Sequence, residues 1–253
     1  MKFTYTVILC VFVLAFITIS FVNAQNVDFK PDSLSFYNIA EKYYIEGKYD
    51  LAIEYYKKAI EKQPDNATIY NSLATAYQYK NLYTEAIYYY KKAVELYPIY
   101  VQYNEDLADL YYKNKQYEKS IEINTRIIQM DPANYESYFY MGTSYNFLDQ
   151  YDEALDCYKK AIEVDSKPYF AYKGIGDTYM LKKDYESAIN YYLKTIQIIQ
   201  NEPNVYLTLA QAYYYIGKYN EALENLYKYK SLDIKYSDIA NEWIAKTKAA
   251  LNK

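Results

Sequence analysis

Residues 33–66 read SLSFYNIAEKYYIEGKYDLAIEYYKKAIEKQPDN, and residues 67–100 read ATIYNSLATAYQYKNLYTEAIYYYKKAVELYPIY. Laid one under the other they agree in register, with tyrosine at the eleventh and seventeenth positions and alanine at the eighth, twentieth and twenty-seventh. The same 34-residue unit runs without insertion or deletion to Tyr236, six copies in all. Two tyrosine columns never miss a copy: Tyr43, Tyr77, Tyr111, Tyr145, Tyr179 and Tyr213, and Tyr49, Tyr83, Tyr117, Tyr151, Tyr185 and Tyr219. A fixed period of this length is the mark of a repeat array in which each unit packs on its neighbours rather than on one central core.

Inside each unit the apolar positions fall at helical spacing and the pattern breaks once, which predicts two amphipathic helices joined by a tight turn. Phe36, Ile39, Ala40 and Tyr43 share a face of the first helix; Ala52, Tyr56 and Ala59 form a stripe on the second. Small residues mark where the two helices cross: Ala40, Ala74, Ala108, Gly142, Gly176 and Ala210 on one side, and Ala52, Ala86, Ser120, Ala154, Ala188 and Ala222 on the other. Bulk there would overpack the contact. Gly47, Asn81, Asp149 and Gly217 suit a left-handed turn residue, whereas Lys115 and Lys183 at the same place do not favour it, so the sequence leaves those two turns open. Pro64, Pro98 and Pro132 stop three of the second helices.

These residues resemble the tetratricopeptide repeat family, whose pattern over 34 residues is W-x2-L-G-x2-Y…A-x3-F…P. Phe36 or a tyrosine usually replaces the tryptophan, tyrosine replaces the phenylalanine, and Ser166, Gln200 and Ile234 stand where the last proline belongs. Asn104 and Asn124 make the third copy the least typical. The resemblance implies an all-α, right-handed α-solenoid of six helix-turn-helix units with a concave groove lined by the first helices. The units are residues 33–66, 67–100, 101–134, 135–168, 169–202 and 203–236. Residues 237–253 are expected to form a C-terminal capping helix whose apolar side is Ile239, Trp243, Ala250 and Leu251, with Trp243 in the core.

Ahead of the repeats, Met1-Lys2 precede an uncharged, mostly apolar run from Phe3 to Val22, followed by Asn23-Ala24-Gln25. Short residues before Gln25 suit a signal peptidase, so residues 1–24 are expected to be a cleaved signal peptide and residues 25–32 a linker. The expectation is export, to a periplasmic or secreted location; the alternative is membrane anchoring by a retained segment 3–22. Removal of the signal takes Cys10 with it and leaves Cys157 as the one remaining thiol, which excludes an intramolecular disulfide.

There are 28 basic and 32 acidic residues, a net charge of −4, and the single arginine is Arg126. Lysines alternate with acids along the second helices, so no phosphate-tracking stripe forms and nucleic acid is not an expected partner. Histidine is absent, which removes the usual general base and the commonest metal ligand. Five glycines are scattered through turns and crossings, and Gly174-Ile175-Gly176 lies within a helix, so no phosphate-cradling loop is expected. Neither catalysis, metal nor cofactor is expected.

What the resemblance implies for binding is a set of positions on the first helices that face the groove. In repeat one these are Tyr37, Glu41 and Tyr44; in repeat two Asn71, Thr75, Gln78 and Tyr79; in repeat three Glu105, Asp109 and Tyr112. Repeat four supplies Phe139, Thr143, Asn146 and Phe147, repeat five Lys173 and Asp177, and repeat six Leu207, Gln211 and Tyr214. Amides that both donate and accept, beside flat rigid rings, suit an extended polypeptide. Acids in the early repeats favour a neutral or basic ligand. The residues at the positions of the family's carboxylate clamp, Tyr37, Glu41, Ser72, Gln102 and Asp106, do not restore it, which argues against an acidic C-terminal tail. The expected function is therefore a protein-protein interaction scaffold of the cell envelope. Carbohydrate binding or processing through Glu105 and Asp109, and self-association into a homo-oligomer, are the alternatives.

Overall fold

The computed structural model describes residues 32–165, 168–232 and 237–252; the expected signal segment, and all but the last residue of the expected linker, lie outside the described residues. Among the described residues there are thirteen α-helices and no strand. The chain divides between Pro64 and Asp65 into two compact units. The first holds α1 (Ser33–Ile45) and α2 (Tyr49–Lys62). The second holds α3 (Ala67–Tyr79), α4 (Tyr83–Leu96), α5 (Val101–Lys113), α6 (Tyr117–Met130), α7 (Tyr135–Phe147) and α8 (Tyr151–Val164). It continues with α9 (Tyr169–Leu181), α10 (Tyr185–Ile198), α11 (Pro203–Tyr215), α12 (Tyr219–Leu232) and α13 (Ser237–Leu251). Every repeat is a hairpin of a 13-residue and a 14-residue helix that begin and end at the same positions. Within the second unit α4 packs on α5, α6 on α7, α8 on α9 and α10 on α11, so the hairpins follow one another in chain order and α13 closes on α12.

All six turns carry a left-handed residue, Lys115 (φ 57°) and Lys183 (φ 60°) included. The difference from the residue preference has a local cause. In each turn the backbone closes the same pair of bonds: Lys115 N–H donates to Tyr112 O (2.9 Å) and Gln116 N–H to Tyr111 O (2.8 Å), as Gly47 and Lys48 donate to Tyr44 and Tyr43. This Schellman arrangement satisfies the last carbonyls of the first helix, and the packing of the flanking helices holds it even where the residue is a poor choice. Proline is equally dispensable at the far end, since α8 and α10 stop at the register of α2, α4 and α6 with no proline in the usual place.

The atypical third repeat keeps its hairpin by bonding its buried polar groups. Asn104 donates to the carbonyls of Pro98 and Tyr100, both at 3.0 Å, and Asn124 to Ser120 O at 2.9 Å. The capping helix docks through Ala240, Ile244 and Thr247, all buried, while Ile239 and Leu251 are 42% and 44% exposed. The buried stripe is thus displaced around the helix from the one expected. Trp243, expected in the core, is half-buried and stands edge-on to Tyr214 and Tyr215, with ring centres 5.6 and 6.4 Å apart.

Candidate functional site

Within the second unit α5 touches α7, α7 touches α9, and α9 touches α11, so the first helices lie side by side. Among the described residues, three cavities between them stand out. One of about 460 Å³ between α3 and α5 is lined by Thr75, Gln78, Tyr79, Asp106, Asp109 and Lys113, with Tyr90 behind. The next, about 380 Å³ between α5 and α7, is bounded by Glu105, Asp106, Asp109, Asn124, Glu136 and Ser137. The largest, about 610 Å³, extends from α7 across α9 to the start of α11 and is lined by Phe139, Thr143, Asn146, Phe147, Phe170, Lys173 and Asp177, with Tyr158 among its walls.

In four of the six repeats a buried tyrosine of the second helix lies behind the first helix of its own repeat. A ring can be buried at little cost when its hydroxyl finds a partner, and here the partner is the groove residue fifteen positions earlier. Tyr56 donates to Glu41 Oε1 (2.5 Å) in the first unit, and Tyr192 donates to Asp177 Oδ1 (2.8 Å) in the second. The Tyr90 hydroxyl lies 3.0 Å from Thr75 Oγ1 and donates to Gln78 Oε1 (2.9 Å); that of Tyr158 lies 3.2 Å from Thr143 Oγ1. Burial raises the Tyr158 and Tyr192 hydroxyls well above the ordinary tyrosine range, with the Asp177 carboxylate adding to the shift at Tyr192. Both are neutral at physiological pH. The buried ring thereby fixes the rotamer of a groove side chain from below.

Several of the expected groove residues are engaged sideways. Asn71 Nδ2 donates to Asp106 Oδ2 (2.8 Å), and Asn146 Nδ2 to Thr178 Oγ1 (2.9 Å), so each amide bridges two consecutive first helices. Glu105 Oε1 accepts from Asn134 Nδ2 (2.8 Å), and Lys113 and Lys173 pair with Asp109 and Asp177 four residues away. Tyr112 sits among Tyr117, Tyr140 and Phe147 at 5.5–6.1 Å, and Phe147 stacks flat on Tyr117 at 4.6 Å.

Phe139, Thr143, Asn146, Phe147, Lys173 and Asp177 are brought together at the largest cavity. Thr75, Gln78, Tyr79 and Asp109 meet at the 460 Å³ cavity, and Glu105 and Asp109 at the 380 Å³ one. Tyr37, Glu41 and Tyr44 belong to the first unit, where Tyr37 packs near Tyr56 and Tyr44 near Tyr49. Leu207, Gln211 and Tyr214 on α11 line none of these three cavities; Leu207 packs on the core under the capping helix and Tyr214 on Tyr219. Sequence reasoning missed the second-helix contributors Tyr90, Asn124 and Tyr158, having assigned that column to packing. The signal was present: a recurring buried tyrosine needs somewhere to put its hydroxyl.

Among the described residues no three histidine, cysteine or carboxylate side chains are grouped to hold a metal, and no helix is long and apolar enough to cross a membrane. Tetratricopeptide repeat models match residues 32–99, 71–135, 135–168, 171–202 and 203–233. No curated protein sequence matches the chain. Among solved structures, a tetratricopeptide repeat protein from Parabacteroides merdae is 20% identical, with 87% of this chain and 92% of that one aligned at a TM-score of 0.71. MamA is 24% identical over 66% of this chain and 92% of its own, with a TM-score of 0.62. YrrB, described as a TPR protein with an unusual peptide-binding site, is 19% identical over 74% and 96%, with a TM-score of 0.56. These likenesses establish the shared fold.

Proposed function

Since the chain belongs to the tetratricopeptide repeat family, whose members serve broadly as protein-protein interaction scaffolds, we propose that it is a non-catalytic scaffold of the cell envelope holding an extended segment of a partner protein on the first-helix face of repeats two to five. The observation that carries this reading is the 610 Å³ cavity. Its rim exposes Phe147 (58%) and Phe170 (47%) next to the Lys173–Asp177 pair, an arrangement of rigid apolar anchors with polar groups fixed beside them. Such a surface takes apolar side chains of a peptide while orienting its backbone. Export rests on the apolar run Phe3–Val22 and the short residues before Gln25.

Selection of peptides from a random display library on the intact protein tests the binding reading. Selected peptides should bind with apolar side chains as anchors, and Phe147→Ala with Phe170→Ala should weaken them at least about tenfold, as expected for aromatic anchors. Binding unchanged by the double substitution counts against the face. Mass determination of the mature N-terminus tests export: a chain starting at Gln25 supports it.

A further inference from the structure

The column that supplies Tyr56, Tyr90, Tyr158 and Tyr192 holds Asn124 in the third repeat. In the other four the ring occupies the space behind the first helix. In the third the ring is replaced by the Asn124 amide, which lines the cavity of about 380 Å³ between α5 and α7. Polar groups line it beside Ala108 and Tyr140. Asn124 is buried, and its Nδ2 is used by Ser120 O while no donor reaches its Oδ1 among the described residues. Ser137 is 1% exposed and lines the same cavity, and its Oγ has no hydrogen-bond partner. The buried Ser137 hydroxyl, left without a partner, costs free energy unless something arrives to bond it.

The charge around the cavity is of one sign. Glu105, Asp106, Asp109 and Glu136 line it. Among the described residues, only Asp109 of these is ion-paired, to Lys113; Glu105 and Asp106 accept from the neutral amides of Asn134, Asn71 and Gln102. Glu136 has no ion pair among the described residues. The carboxylates are spread around the mouth and do not converge as metal ligands do, and the space exceeds what a bare ion needs. A long cationic side chain meets both demands, because its charged head offers several donors to carboxylates and to buried oxygens.

We propose that the cavity beside Asn124 is a recognition pocket for an arginine or lysine side chain of the bound polypeptide. This deepens the scaffold reading and rests on it. The basic residue would enter between α5 and α7, with its head against Glu105, Asp106 and Glu136 and its tip donating to Asn124 Oδ1 and Ser137 Oγ. The neighbouring aromatic cavity would take an apolar residue of the same segment, so the two pockets together would set its register.

The test uses Nα-acetyl-arginine methylamide and Nα-acetyl-lysine methylamide as probes, with the uncharged citrulline and Nε-acetyl-lysine counterparts as controls, followed by amide chemical shifts of the full protein. A charged probe is expected to shift the signals of Asn124, Glu136 and Ser137 saturably, and the neutral controls to bind at least about tenfold more weakly. Asn124→Leu, which installs the residue that Leu226 provides in repeat six, and Glu136→Gln, which breaks no described bond, should each abolish those shifts while the rest of the spectrum is kept. Equal binding of the neutral controls, shifts mapping elsewhere, or retention by Asn124→Leu overturns the pocket. A library-selected peptide that depends on Phe170 but is indifferent to Asn124→Leu and Glu136→Gln also overturns it, while leaving the scaffold reading intact. A charged probe that binds at Asn124 when no peptide depends on Phe170 supports the pocket and removes the broader reading instead.

Discussion

The ring of Tyr158 lies so close to Gly174 that a β-carbon built on that glycine would stand 2.6 Å from its Cε1 and Cζ. A β-carbon built on Gly142 would likewise stand 2.8 Å from Cε1 of the same ring. Tyr158 is therefore clasped between α7 of its own repeat and α9 of the next, and the closeness of those two helices depends on glycine at both places. It is also the ring whose hydroxyl meets Thr143 in the largest cavity.

Gly174→Ala should cost about 1–3 kcal/mol through overpacking, seen as a lower urea midpoint. Because the buried ring is what the new methyl would strike, Tyr158→Leu should absorb part of that cost. The double variant is expected to be more stable than the sum of the two single losses implies, and strict additivity would deny the contact.

Lys115→Gly and Lys183→Gly should each stabilise the chain. A left-handed β-carbon costs roughly 1–2 kcal/mol, and glycine's greater freedom in the unfolded chain returns about half of that. A gain of about 0.5–1 kcal/mol per site is expected in equilibrium urea unfolding, with no change in helix content by circular dichroism.

Asn71→Ala and Asn146→Ala should lower stability by about 1 kcal/mol each, since each removes an amide that ties one first helix to the next. A binding loss measured with these variants mixes the bracing role with any contact to a ligand. Thermal melts of the unliganded variants separate the two: an unchanged melting temperature would contradict the bracing role.

Burial, with Asp156 and Glu153 adding to it, pushes the Cys157 thiol up to about 12. The thiolate is the reactive form, so Cys157 should resist alkylation at pH 8 in the folded chain and react readily in denaturant. Peptide mass mapping after a timed iodoacetamide pulse reads the difference, and rapid native labelling would contradict the packing of this side chain.

Burial likewise raises the hydroxyls of Tyr135, Tyr158 and Tyr192 above their unfolded value of about 10. The unfolded chain then releases these protons first, so the linked stability is complete below pH 10 and falls as pH rises beyond it. Phenolate absorbance at 295 nm should rise in two stages, with the late stage coinciding with loss of helical circular dichroism. A single early stage complete before any helix is lost would contradict it.

The hairpins, their boundaries and the crossing points were legible because each copy repeats the same solution, so a column such as Ala40 to Ala210 displays its constraint six times. Lys115 and Lys183 were not, because a residue's own preference says little about a turn that two packed helices impose. The buried face of the C-terminal helix was misread for a related reason. Ser237–Leu251 occurs once, and its one-time pattern offers Ile239 and Leu251 as readily as Ala240, Ile244 and Thr247. In the groove, the first-helix positions could be named from the period, but their partners could not: Tyr158 and Asn124 lie on other helices, and only packing reveals that one puts a ring and the other an amide into the wall of a cavity.

The amino-acid order alone determined that this chain is an array of helical pairs, since apolar spacing and an unbroken period constrain local structure residue by residue. Tertiary packing decided which side chains remain available to another molecule. That depends on distances between residues fifteen or more positions apart, where a ring, a glycine or an empty corner changes what its neighbours can do.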